Sequence, residues 1–157
     1  MESLVVYDSK FGNTKKVAEA IAAGLAGHGP VRLLGLDKLP PQTLGPVDLL
    51  LIGGPSQAHA MTARMRQFVD ALRTRPANGM AVATFDARLR MPAVISGSAA
   101  KSIARKLRSV GVRTFAAPES FFVRGSLPQL EEGETERAAS WAKGVADRLA
   151  LSRWCAA

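Results

Sequence analysis

Apolar and polar positions along this chain fall into blocks whose period changes from strand to helix and back. Leu4-Val5-Val6-Tyr7 is a short apolar run, after which Val17, Ile21 and Leu25 recur at four-residue spacing with Ala18 and Ala22 beside them. That spacing predicts a helix from near Thr14 to Gly27–Gly29, with Lys15, Lys16 and Glu19 on its outer face. Val31 to Leu36 predicts a second strand, and Pro40-Pro41 in a polar linker allows no regular structure before the third. Leu49-Leu50-Leu51-Ile52 is apolar without interruption, the pattern of a strand covered on both faces, and should be the central strand of a parallel sheet.

Met65, Phe68, Val69 and Leu72 then mark a second helix, and Ala81 to Phe85 a fourth strand. Asp86 to Gly97 is expected to be a long loop, with Met91, Pro92 and Ile95 tucked against the body. Ile103, Leu107 and Val110 give a further helical stripe; Lys101, Arg105 and Arg108 on its other side read as a solvated face. Val112–Phe115 and Phe121–Val123 flank Ala116-Ala117-Pro118-Glu119, so they are either two pieces of one edge strand or a strand with an excursion. The acidic cluster Glu131, Glu132, Glu134 and Glu136 complements the start of a last helix, whose stripe is Ala138, Ala142, Val145 and Leu149 with Trp141 beside it. Strands thus alternate with helices five times, which predicts a doubly wound, three-layer α/β sandwich around a five-stranded parallel sheet.

The 157 residues, 47% of them hydrophobic, suffice for one packed core, and a single domain over 1–157 is expected. No apolar run approaches the roughly 18 residues of a membrane span, and no basic stretch with a long apolar segment precedes Leu4, so a soluble, unprocessed chain without membrane partners is expected. The only cysteine, Cys155, permits no internal disulfide and fits a reducing compartment, so the expected location is cytoplasmic. Lys and Arg number 21 against 13 Asp and Glu, a net charge of +8, which favours anionic partners. Few aromatics interleave with those basic residues, which argues against nucleic acid.

The stretch with the most chemistry is Tyr7-Asp8-Ser9-Lys10-Phe11-Gly12-Asn13-Thr14, the junction of the first strand and first helix. Hydroxyls, a glycine and free backbone N–H groups at a helix start suit a phosphate monoester. An ordinary turn uses the same residue types, but this loop follows the first strand, where doubly wound sheets bind ligands. Other nucleotide and phosphoryl sites fail on particular residues. A dinucleotide fingerprint needs three glycines where this loop has Gly12, a P-loop needs Gly where Ala100 precedes Lys101, and a chain resembling a response-regulator receiver domain would carry a phosphorylatable Asp at the end of the third strand, where this one has Gly53-Gly54. The two histidines, His28 and His59, have no metal-ligand spacing; His28 reads as a helix C-terminal cation.

Ser9-Lys10-Phe11-Gly12-Asn13-Thr14 resembles the S/T-x-T-G-N-T loop with which flavodoxins bind the phosphate of flavin mononucleotide (FMN), Phe11 standing in place of a third hydroxyl. The resemblance implies the strand order 2-1-3-4-5, with the loops after the first and third strands side by side. It implies that Pro55, Ser56, Gln57, Ala58, His59 and Ala60 border the flavin ring, and that backbone groups of Asp86, Ala87, Arg88 and Arg90 meet its pyrimidine edge. Two features depart from the family. Neither ring loop carries the usual aromatic cover, and this chain is basic where such electron carriers are acidic. The resulting expectation is an FMN-binding redox protein, either an electron carrier or a flavin-dependent reductase, with an acidic protein as redox partner. A flavodoxin-fold module that binds an anionic ligand without redox chemistry is the alternative.

Overall fold

In the computed structural model, which describes residues 1–38, 44–56, 61–74 and 79–156, the first apolar run becomes β1 (Ser3–Tyr7). It pairs in parallel with β2 (Val31–Gly35) on one side and β3 (Leu49–Pro55) on the other. Next across the sheet come β4 (Ala81–Leu89) and β5 (Glu119–Arg124), both parallel, so the expected order 2-1-3-4-5 stands. The sheet nevertheless has six strands: β6 (Gln129–Leu130) runs antiparallel to β5 and corrects the all-parallel, five-stranded expectation. The turn joining them contains Gly125 at φ 91, and a connection this short can join only antiparallel neighbours.

Two other expectations change. Strand β4 does not stop at Phe85: the ladder with β5 pairs Asp86 with Ser120, Ala87 with Phe121 and Leu89 with Val123, so the expected long loop begins only after Leu89. Beyond it Met91 and Ile95 are exposed rather than tucked in, Ile95 on the short helix α3 (Ala93–Ser96). Of the two candidate edge pieces, the second lies in β5, while residues 112–118 form an excursion that rejoins the sheet through a Phe115 N–H bond to the Val82 carbonyl at 2.7 Å.

The uninterrupted apolar run in β3 serves two layers. Leu49 and Leu51 face α1 (Asn13–Leu25) and α5 (Glu134–Ala156), while Leu50 and Ile52 face α2 (Ala63–Ala71) and α4 (Ala99–Ser109). Trp141 of α5 packs edge-on against Phe85 and Phe121, with ring centroids 6.5 and 5.9 Å away. At the end of β3, a Cβ on Gly53 would sit 2.2 Å from the Phe85 ring, so no side chain fits where a receiver domain carries its aspartate. His28 follows α1 in a 3-10 turn and bonds Asp147 of α5 at 2.7 Å.

Helix α5 is clamped to β5 by Glu134 and Arg137. Glu134 accepts the Phe122 N–H at 2.7 Å, and Arg137 bonds Glu134, Glu119 and the Ser120 carbonyl with its guanidinium over the Phe121 ring. Burial opposes ionisation of Glu134, but the Arg137 guanidinium and the Phe122 N–H outweigh it and hold the carboxyl below the ordinary glutamate value. A group depressed in the folded state stabilises fully above its unfolded value and loses that contribution as pH falls through the folded value. In thermal melts at neutral pH, Glu134→Gln is therefore expected to lose about 1–3 kcal/mol. The gap from wild type should close on acidification below about pH 4; a gap constant down to pH 3 would show that ionisation of Glu134 contributes nothing.

Candidate functional site

Helices α1, α2 and α4 all begin beyond the carboxyl ends of strands, and their first turns are finished differently. At α2 the Thr62 hydroxyl accepts the Met65 N–H at 3.1 Å. At α4 three side chains act: Ser98 accepts from Lys101 N–H at 3.2 Å, Asp86 from Ala100 N–H at 2.9 Å, and Ser56 from Ala99 N–H at 3.0 Å. Helix α1 has no side-chain cap and no acidic residue in its first turn. It opens after Gly12 in the left-handed conformation, φ 85, and the Gly12 N–H is held by the Ser9 hydroxyl at 3.1 Å. Among the described residues, the N–H groups and positive dipole end of α1 thus carry no anion of the protein's own.

Beside this open end lies a cavity of about 170 Å³, lined by Lys10 and Phe11 from the first loop, Asn13 and Thr14 from the start of α1, Pro55 and Ser56 from the end of β3, and Ala87 and Arg88 from β4. Three separated stretches singled out in the sequence therefore meet. A second hollow of about 260 Å³, lined by Asp8, Ser9, Lys10, Pro55, Thr62 and Arg64, continues along the outside of the loop. Asp8 does not project its charge at the open helix: its carboxylate accepts the Thr62 hydroxyl at 2.6 Å and lies 3.5 Å from Arg64.

The candidate residues are not equivalent. Thr14 and Asn13 are buried, and the Asn13 side chain donates to the Pro128 carbonyl at 2.8 Å, tying the loop to the β5–β6 turn. Lys10 and Phe11 are exposed, with the Lys10 ammonium 5.3 Å from the centre of the Phe11 ring. Gln57, Ala58, His59 and Ala60 lie outside the described residues. Asp86 is fully buried on the α4 side, bonded to Ser98 at 2.7 Å and to the start of α4, and is not among the residues lining the cavity. Arg88 lines the cavity while held by Ser120, Ser96 and the Met91 carbonyl at 3.0, 3.0 and 2.7 Å. Arg90 turns outward to Glu131 at 2.7 Å, with its guanidinium 4.1 Å from the centre of the Phe122 ring.

Leu89, Val123 and Pro128 complete the cavity wall; Leu89 falls within the Asp86–Arg90 stretch, but Val123 and Pro128 were not marked by the sequence, because the β5–β6 hairpin brings them there. A larger hollow, about 410 Å³, lies at the amino ends of the strands. Of its charged groups, Asp48 and Arg153 pair with each other at 2.7 Å and Glu2 lies 3.4 Å from Arg32, and none of α1, α2 and α4 begins there, so the chemistry points to the smaller cavity. Among the described residues no group of three or more His, Cys, Asp or Glu is placed to hold a metal, and no helix is long and apolar enough to cross a membrane.

Residues 4–114 match the family model described as a flavodoxin domain. A flavodoxin of Aquifex aeolicus (strain VF5) is 37% identical over 70 residues, a segment covering 43% of this chain and 37% of that protein. Among solved structures, a flavodoxin from the domain Archaea superposes with a TM-score of 0.78 at 22% identity, covering 95% of this chain and 99% of the other. Rubredoxin oxygen:oxidoreductase from Desulfovibrio gigas gives a TM-score of 0.78 at 15% identity over 96% of this chain, which spans only 36% of that longer one.

Proposed function

The chain belongs to the flavodoxin family, and on that premise we propose that it binds FMN and acts as a redox protein, in electron transfer or flavin-dependent reduction. The observation that carries this reading is the open amino end of α1, uncapped while α2 and α4 are capped by side chains. A dianionic phosphate suits a helix start that has no competing carboxylate. Ser9, Thr14 and the loop N–H groups would hold it, with Lys10 adding positive charge and Gly12 supplying the left-handed turn. Pro55, Ala87, Leu89 and Val123 offer an apolar wall to the ring, with Phe11 at the rim. Bound flavin supplies the electron chemistry, and the chain orients it and sets its surroundings.

The direct test is colour. Purified protein mixed with FMN and passed through a desalting column is expected to remain yellow, with one flavin per chain and a shifted visible spectrum. Colourless protein after that step would overturn the reading in favour of a binding module without redox chemistry.

A further inference from the structure

The charge of this chain is unevenly distributed. Helices α2 and α4 carry six basic residues, Arg64, Arg66, Lys101, Arg105, Lys106 and Arg108, against one acid, Asp70; α1 and α5 also carry six, but against four acids. Lys106 of α4 pairs with Asp70 of α2 at 2.7 Å and joins the two helices into one surface. Arg66, Lys101, Arg105 and Arg108 are exposed and make no ion pair with the described residues. On α4, Lys101, Arg105 and Arg108 form a row about 10 Å long that starts at the site end, where the first turn of α4 is bonded to Asp86 and Ser56.

We infer that the outer face of α2 and α4 is the docking surface for an acidic protein, the redox partner of the site proposed above, on which this inference rests. Opposite charge gathers a partner over about a Debye length, roughly 8 Å at physiological salt, and this face is the one whose positive charge is least cancelled internally. Ahead of α4 in the chain, α3 is tied to the cavity lining by the Ser96 hydroxyl, which accepts from Arg88 at 3.0 Å, and it carries Val94, 91% exposed, and Ile95, 54% exposed, so a partner seated on the basic helices finds an apolar contact nearby. A bilayer fits less well: α2 and α4 turn their apolar residues inward, and none of the exposed large hydrophobic side chains lies on either helix. Single-stranded nucleic acid lacks the stacking aromatics it would need there. The row Lys101, Arg105 and Arg108, which the sequence pattern alone leaves as a solvated face, thereby acquires a role.

Unmodified cytochrome c and cytochrome c with succinylated lysines provide a basic and an acidic haem protein of one shape. Binding is measured by calorimetry on the protein as purified, and amide shifts map the contact. The acidic form is expected to bind roughly tenfold or more tightly than the basic one at low salt, with the preference collapsing at about 0.5 M salt and the shifts falling on α2 and α4. Arg105→Glu with Arg108→Glu should weaken binding of the acidic form by about tenfold, and Arg66→Glu on α2 with Arg73→Glu in the 3-10 turn after it (Leu72–Thr74) provides an independent disruption. Lys143→Glu with Arg148→Glu on α5 changes net charge equally and should alter binding less than about twofold. Equal losses from the α4 and α5 pairs would overturn the proposal. So would tighter binding, at about 150 mM salt, to phosphatidylserine vesicles or to a DNA duplex. Since the binding readout does not depend on flavin, failure to retain FMN sinks the redox reading and leaves the docking result interpretable.

Discussion

Titrated against both flavins, the protein is expected to bind FMN at least about a hundredfold more tightly than riboflavin, a difference of about 2.7 kcal/mol. The two ligands differ only in the phosphate, and in the proposed mode the phosphate would meet the part of the site with unspent donors. Each charge-assisted hydrogen bond contributes about 1.5–3 kcal/mol, so two of those available from Ser9, Thr14 and the N–H groups at the open start of α1 suffice. The ring would have fewer directional partners: the proposed wall is largely apolar, the Ser56 hydroxyl already accepts from Ala99, and Arg88 is engaged with Ser120, Ser96 and Met91. Gly12→Val probes the same idea differently. A Cβ at Gly12 meets nothing within 4 Å, but the φ of 85 strains any L side chain, by about 1–2 kcal/mol. The loop should relax out of its phosphate geometry, lowering FMN affinity and leaving riboflavin affinity unchanged. Calorimetry giving equal constants for the two flavins would remove the loop from ligand binding.

Gly24→Ala is expected to destabilise the fold by about 3 kcal/mol, against the sign that helix propensity alone would give. In a solvated helix, replacing Gly by Ala gains about 1 kcal/mol. Here α1 crosses α5 so closely that a Cβ at Gly24 would lie 2.2 Å from the Ala139 carbonyl oxygen and 2.8 Å from its Cα. Those are backbone atoms and cannot turn away, so the helices must separate and loosen the cluster of Ile21, Leu25, Ala138 and Ala142 between them. The melting temperature should fall by roughly 6–12 °C, at about 2–4 °C per kcal/mol for a chain of this size. Gly144→Ala is the matched control: it also lies within a helix but meets nothing within 4 Å, and should gain about 0.5–1 kcal/mol. Two substitutions moving stability in the same direction would contradict the tight α1–α5 crossing.

The sequence by itself determined the elements whose burial follows a period. The run at Leu49–Ile52 read as a strand covered on both sides because β3 alternates Leu49 and Leu51 toward one layer with Leu50 and Ile52 toward the other. The stripe of Val17, Ile21 and Leu25 placed α1, and residue types together with their place after the first strand made Ser9–Thr14 a candidate phosphate loop. What only the tertiary structure decided are pairings between distant segments, for which no local period exists. Strand β4 continues through Asp86 and Arg88 because the first is held through its Oδ2 by Ser98 and the start of α4, and the second by Ser120 and the turn after β4. Without those partners two charged residues read as a strand's end. The two-residue β6 has no room for a pattern; the β5–β6 turn preceding it brings Pro128 to Asn13 and helps close the cavity. The contrast that makes the site legible, α1 open while α2 and α4 are capped, depends on a side chain reaching α4 from β4 and another from the end of β3. Charge shows the same division: composition gives the total of +8, but its concentration on one face follows from α2 and α4 sharing a layer. Hydrophobic burial is read residue by residue along the chain, whereas hydrogen bonding and surface potential depend on which segments the fold makes neighbours.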